Sequence, residues 1–349
     1  MHTFRDFRAI RLDTDTASAQ DLAQVSGIDP NHIIQDVESS FYLYEMAKWQ
    51  ENARGLRILG VFGILELNKA EHTKHHDELF DDSIATEADV HILPHEQVRT
   101  DISSVSTIAP SLLRDGSGPI WAIADTDVID ELSPLKIGPV ARTTDVDSVT
   151  HRIYALPQPG AKEILRRAIE GSELVLADGH HRVRAAIETL ATQAPGSKVE
   201  LLCFICQAKD VAGIIRPIHR IFMGNDVENE IDVLDQRFEA TAIRPETPHI
   251  ELCSTNRNVY IPVLKTVSAT IASVEEAFVA GGKYEIEYSS SSEALRARAN
   301  ENDTVAMIVP AIPVAEIIYA AKKHRPLKPK STLFYPKPIP SLIIGEAPD

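Results

Sequence analysis

The sequence predicts an α/β protein of mixed α+β character, with helices flanking a mixed sheet. Two observations carry that expectation. Residues 162–206 read helix, strand, helix, strand, a succession that favours partly parallel pairing. Short apolar strands bounded by polar turns recur on either side of that run. The composition is that of a folded chain: of 349 residues, 44% are apolar and 25% charged. Such a length allows two domains, or one large one with subdomains.

Taken in order, 41–45 (FYLYE) and 56–65 (LRILGVFGIL) are aromatic or β-branched and read as strands. Residues 66–90 turn polar and acidic and are expected to form a long surface loop, partly helical. A strand over 119–123 follows the Gly116-Ser117-Gly118 turn. In 162–170, Ile164, Leu165, Ala168 and Ile169 fall at helical spacing, and Gly171 is a natural stop. A short buried strand is expected at 174–177. Helical spacing returns from Val183 through Ile187 to Leu190 and ends before Pro195-Gly196. Residues 199–205 form a continuous apolar strand. Further on, 274–279 and 314–321 read as helices and 304–309 as a strand, giving an additional C-terminal α/β subdomain. The approximate subdivision of the 1–349 unit is 1–150, 151–230 and 231–349.

The formal charge of -16 disfavours nucleic acid as a partner, because affinity for phosphate backbones comes largely from Lys and Arg. No run of 18 apolar residues predicts a membrane helix, and the first residues lack the apolar region of a secretory signal. Three cysteines, Cys203, Cys206 and Cys253, fit a reducing compartment, so a cytoplasmic location is expected. The oligomeric state stays open.

The strongest local signal is Asp178-Gly179-His180-His181-Arg182, between a buried strand and a helix. A strand-to-helix turn offers free backbone N–H groups and the positive end of the helix dipole to an anion. Gly179 permits a sharp turn and a close approach. Two imidazoles and a guanidinium add donors for phosphate oxygens. Asp178 is suited either to a metal ion or to capping the helix through its carboxylate. The bland reading is a capping Asp with solvated neighbours.

Three weaker signals accompany it. Leu93-Pro94-His95-Glu96 sets a carboxylate beside an imidazole just after an expected strand, as a general base requires. Alone it reads better as a solvated Glu. Pro329-Lys330-Ser331-Thr332, continuing to Lys337, supplies two lysines and two hydroxyls able to grip phosphate, or a tail packed over the core. Pro217-Ile218-His219-Arg220 adds a cationic pair, or an ordinary loop. Cys203-Phe204-Ile205-Cys206 lies in an apolar strand where residues three apart face opposite sides, against a redox or zinc role. His72, His75, His76 and Asp77 resemble metal ligands but have no second cluster. Gly281-Gly282-Lys283 lacks P-loop spacing, and no Rossmann or nucleophile-elbow motif occurs.

These segments, together with Phe7-Arg8-Ala9-Ile10-Arg11, stand in an order that resembles the domain-of-unknown-function family 1015 over nearly the whole chain. That family is similar to the ParB/sulfiredoxin-like superfamily, which includes free serine kinases. The resemblance implies a ParB/sulfiredoxin-like core and a kinase acting on a free hydroxyl amino acid such as L-serine. It implies that Asp178, His180, His181 and Arg182 take the phosphate and metal side, and that Glu96, with His95 beside it, is the base. Glu71 is a rival base. Gly179, His219, Arg220, Lys330, Ser331, Thr332 and Lys337 would bind phosphate or nucleotide. Mg²⁺ is the expected metal, held at Asp178, and ATP, ADP or pyrophosphate the donor. Where the usual motif has Thr, this chain has Val98, which keeps open a non-catalytic, ParB-like nucleotide-binding regulator.

Overall fold

The long apolar runs noted above become the centre of a sheet. The computed structural model describes residues 2–18, 21–22, 28–50, 53–68, 92–97, 118–225, 227–263, 265–282, 284–301 and 303–346. By its internal contacts the chain divides into two units. The first comprises Met1–Ile214, Ala321–Pro326 and Pro336–Asp349; the second comprises Ile215–Ala320 and Leu327–Tyr335.

The first unit contains β1 (His2–Arg5), β2 (Ala9–Leu12), β3 (Ile33–Gln35), β4 (Phe41–Gln50), β5 (Ala53–Asn68), β6 (Ile92–Pro94), β7 (Ile120–Ala124), β8 (Ile137–Thr144), β9 (Thr150–Leu156), β10 (Leu174–Asp178) and β11 (Lys198–Gln207). Its helices include α1 (Val128–Leu132), α2 (Pro159–Glu170) and α3 (His180–Thr192). A nine-stranded sheet runs in the order β6-β10-β7-β11-β5-β4-β9-β8, with β1 also on β5. The pairs β6–β10 and β7–β11 are parallel and the others antiparallel, so the sheet is mixed, as expected.

Both faces of this sheet are covered. On one, Leu165 and Ile169 of α2, and Val183, Ile187 and Leu190 of α3, pack at helical spacing against Leu43, Val61, Leu176 and Leu201 of the strands. On the other, Tyr44, Phe62, Phe204 and Trp121 pack ring to ring, with centroids 5.2 to 5.7 Å apart. Burial of these side chains is the main stabilising term, at roughly 1.5–3 kcal/mol for each large apolar side chain.

The strands over 41–45 and 56–65 extend further than their apolar cores. Hairpin pairing carries them on, through Lys48 opposite Leu56 to Gln50 opposite Ala53, because ladder hydrogen bonds do not depend on side-chain polarity. The helix read from Val183 begins at His180. Residues 66–68 belong to β5; the rest of the loop expected up to residue 90 lies outside the described residues.

The second unit contains β12 (Ile215–Pro217), β13 (His219–Met223), α4 (Asn229–Phe238), β14 (His249–Cys253), β15 (Asn258–Pro262), α5 (Val267–Gly281), β16 (Glu285–Ser289), α6 (Ser292–Arg298), β17 (Thr304–Ile308), α7 (Val314–Lys322, which runs across the unit boundary) and β18 (Thr332–Phe334). An antiparallel sheet has the order β15-β14-β17-β13-β16, and β12 pairs with β18. The chain thus carries the additional C-terminal α/β part that was expected. It then re-enters the first unit, where β19 (Ile343–Glu346) pairs with β2, itself paired with β3. Among the described residues, no helix is long and apolar enough to cross a membrane.

Candidate functional site

The site grows out of one strand pairing. β6 and β10 run parallel, with Ile92 opposite Leu174, Leu93 opposite Val175 and Pro94 opposite Leu176. Parallel strands end at the same edge of a sheet. Here one continues as His95-Glu96 and the other as Asp178-Gly179-His180-His181. Two segments some eighty positions apart in the chain therefore meet at one edge.

Gly179 makes the turn with φ 91° and ψ 23°, a left-handed conformation. A Cβ there would lie 2.9 Å from Ile120 Cγ2 and 3.0 Å from a guanidinium nitrogen of Arg182. α3 starts at once, with Gly179 as its N-cap and no side-chain cap. Asp178 therefore stands one residue ahead of the N-cap position. Its carboxylate lies 3.0 Å from Lys337 Nζ and 3.7 Å from Arg182.

His95 is buried, and its Nδ1–H donates to the Leu176 carbonyl on the neighbouring strand. That bond fixes the tautomer and leaves Nε2 as an acceptor, 4.0 Å from Glu96 Oε2. Burial pulls the His95 pKa down to about 4, so the ring is neutral at pH 7. The His180 ring meets it edge to face, centroids 4.8 Å apart. Burial, reinforced by His95, His181 and Arg182 beside it, holds His180 well below the ordinary imidazole range. Its Nε2 is buried with no hydrogen-bond partner among the described residues, a position suited to a water or a ligand group. His181 follows in the first turn of α3.

Arg182 donates to the backbone carbonyls of Gly118 and Pro119, the latter at 2.7 Å. It ties the entry to β7 onto the turn, and its burial lowers the guanidinium pKa. Lys337 reaches the turn from the returning C-terminal segment, which is held where the Ile339 N–H donates to the Tyr44 hydroxyl at 2.9 Å. Tyr44 escaped the sequence reading because a tyrosine inside an aromatic strand looks like core.

The remaining candidates lie in the second unit, where the pairing of β12 with β18 sets Pro217 opposite Thr332 and joins their two motifs. His219 Nδ1 accepts the Val309 N–H at 3.1 Å, and burial lowers its pKa to about 4. Arg220 is fully buried; it pairs with Glu275 at 3.0 Å and donates to the Ile218 carbonyl. Ser331 donates to the Lys328 carbonyl at 2.6 Å, and exposed Lys330 has φ 63°. Cys203 and Cys206 are buried, free thiols; Cys206 accepts from Trp121 at 2.9 Å, and burial raises its pKa to about 12. Glu71, His72, His75, His76, Asp77, Val98 and Lys283 lie outside the described residues.

In chemical terms, the edge combines a helix N-terminus with glycine at the N-cap, two cationic side chains on a carboxylate, and a second carboxylate beside a neutral imidazole. A family profile described as "Protein of unknown function (DUF1015)" matches residues 17–287, more than half of the chain. No curated protein matches it. Among solved structures, it is similar to SbnI with a C-terminal truncation from Staphylococcus aureus, at 14% identity and a TM-score of 0.40, covering 73% of this chain and 84% of that one. A conserved hypothetical protein from Pyrococcus furiosus matches at 15% identity and a TM-score of 0.38, covering 71% and 89%. A free serine kinase in complex with AMP matches at 15% identity and a TM-score of 0.39, covering 70% and 83%.

Proposed function

The chain belongs to the DUF1015 family, and from that premise we propose that it is a small-molecule kinase, passing a phosphoryl group from ATP, ADP or pyrophosphate to a free hydroxyl amino acid such as L-serine. The observation that carries the proposal is the parallel pairing of β6 and β10, which sets Glu96 and the Asp178–Arg182 turn at one sheet edge. Phosphoryl transfer asks mainly for positioning and for neutralisation of charge. The backbone N–H groups opening α3, with His180 and His181, would receive phosphate oxygens. Lys337 and Arg182 would offset their charge. Glu96 would take the proton of the attacking hydroxyl, with the neutral His95 as its neighbour.

Mg²⁺ usually takes one or two carboxylates together with substrate phosphates, and the partly exposed carboxylate of Asp178 fits that pattern. When bound, the ion would neutralise donor phosphates. Lys330 and Thr332 keep the phosphate-gripping role proposed for their motif. His219, Arg220 and Ser331 make the hydrogen bonds described above within their own unit, which gives them a structural task there. The proposed setting is the cytoplasm, with a small-molecule substrate and no nucleic acid.

The test is direct. The protein is incubated with L-serine, Mg²⁺ and each donor in turn, and O-phosphoserine is followed by phosphorus NMR. Product is expected with at least one donor. Glu96→Gln is expected to slow it by roughly 100- to 10,000-fold, and Asp178→Ala to abolish it, with both variants folded. Full activity in both variants would overturn the assignment. Nucleotide binding without phosphoserine would favour a regulatory nucleotide-binding protein instead.

A further inference from the structure

Asp145, His151 and Tyr44 form a hydrogen-bonded line that ends on the segment carrying Lys337. Asp145 Oδ2 lies 3.2 Å from His151 Nε2, and His151 Nδ1 lies 2.9 Å from the Tyr44 hydroxyl. That hydroxyl oxygen accepts the Ile339 N–H at 2.9 Å. Proton positions follow from these contacts. The Asp145 carboxylate only accepts, so His151 Nε2 carries a proton toward it, and in a neutral ring Nδ1 is left to accept the Tyr44 proton. The Tyr44 oxygen keeps its lone pairs for the Ile339 N–H. This arrangement needs a neutral imidazole, and burial does lower the His151 pKa. Tyr44 and His151 are both 0% exposed. Two rigid groups thus present a fixed acceptor to one backbone amide.

That amide stands two residues after Lys337, whose ammonium lies 3.0 Å from Asp178. Pro338 and Pro340 flank Ile339 and restrict the backbone on either side. Ile339 itself is extended, with φ -74° and ψ 116°. Anchoring its N–H therefore fixes where the Lys337 backbone lies. A lysine on an anchored backbone loses less freedom on meeting a phosphate than one on a loose tail.

We propose that the Asp145–His151–Tyr44 relay positions Lys337 at the phosphate-binding turn, with Tyr44 and His151 as positioning residues. The proposal rests on the reading of that turn as a phosphate site, and one binding experiment separates the two. Pyrophosphate affinity is measured by calorimetry in the presence of Mg²⁺. Lys337→Met is expected to weaken binding by roughly ten-fold or more, the value of a charge-assisted hydrogen bond. Tyr44→Phe keeps the ring and should weaken binding several-fold. In the Lys337→Met background, Tyr44→Phe should cause no further loss, a non-additivity that general loosening of the fold would not produce.

Ile339→Pro is a second probe of the same bond. It removes the amide proton at a φ that proline accepts, and its Cδ stands where that proton pointed at the Tyr44 hydroxyl, so the segment carrying Lys337 has to shift. It should reproduce the Tyr44→Phe loss, and it stands in if that variant does not fold. If the wild type binds pyrophosphate but both variants bind as well as it does, or if their losses add fully to that of Lys337→Met, the relay proposal fails alone. If the wild type binds none, the phosphate-site reading fails and takes this proposal with it.

Discussion

At the scale of single residues, Gly179 is a position where the chain has little choice. Its φ of 91° is strained for any L side chain, and a Cβ would press to 2.9 Å on Ile120 Cγ2. Gly179→Ala is therefore expected to destabilise the protein by about 1–3 kcal/mol, read as a lower urea midpoint. It should also displace the amides that open α3 and so weaken pyrophosphate binding. A variant as stable as the wild type would refute the strain. The turn itself was legible, because Asp-Gly after an apolar strand announces a sharp reversal. The partner of each side chain was not. Asp178 reads equally well as a cap or as a ligand until Lys337, 159 positions away, is seen on its carboxylate. Glu96 reads alone as a solvated carboxylate, and only the bond from its neighbour His95 to the Leu176 carbonyl shows that imidazole buried and neutral.

At the scale of elements, local pattern reported which segments are strands and helices, and pairing decided what they do. Continuous apolar runs announced β10 and β11, and the Leu165 and Ile169 stripe announced α2. Helical spacing places the start of α3 too late, because its first turn, His-His-Arg, carries no apolar signal. No periodicity could say that β6, three residues long, would lie parallel to β10, since that register is set by non-local packing. The same holds for Arg220 on β13, which read as a loop cation. It is fully buried against Glu275 of α5, so it joins a helix to the sheet. Removing one partner strands a buried charge. Glu275→Ala is expected to cost about 3–5 kcal/mol, whereas the double change Arg220→Met with Glu275→Leu should recover most of that loss in urea unfolding. Equal loss in the single and double variants would show that the pair matters for its shape and not for its charge.

At the scale of the whole molecule, the buried histidines give the protein a defined response to acid. His95 in the first unit and His219 in the second both have pKa values lowered by burial to about 4, from an ordinary 6.5. His151 and His180 are shifted in the same direction, again mainly by burial. A depressed imidazole pKa means that the unfolded chain takes up protons that the folded chain refuses. Stability is therefore intact above about pH 6.5 and is lost progressively as the pH falls toward 4. At pH 5 the lowered pKa of His95 and that of His219 each correspond to about 2 kcal/mol by linkage. The interval from pH 7 to 5 lies above the ordinary carboxylate range, so few acidic groups obscure it; Asp210, whose pKa burial raises, opposes the trend. Because one such histidine sits in each unit, acid should lower the urea midpoint of both, without a resistant half. Imidazole NMR at pH 5 should find His95 and His219 still neutral. A urea midpoint unchanged between pH 7 and 5, or protonated rings in the folded protein, would show that water reaches these sites, and the neutral acceptor beside Glu96 would be lost with them.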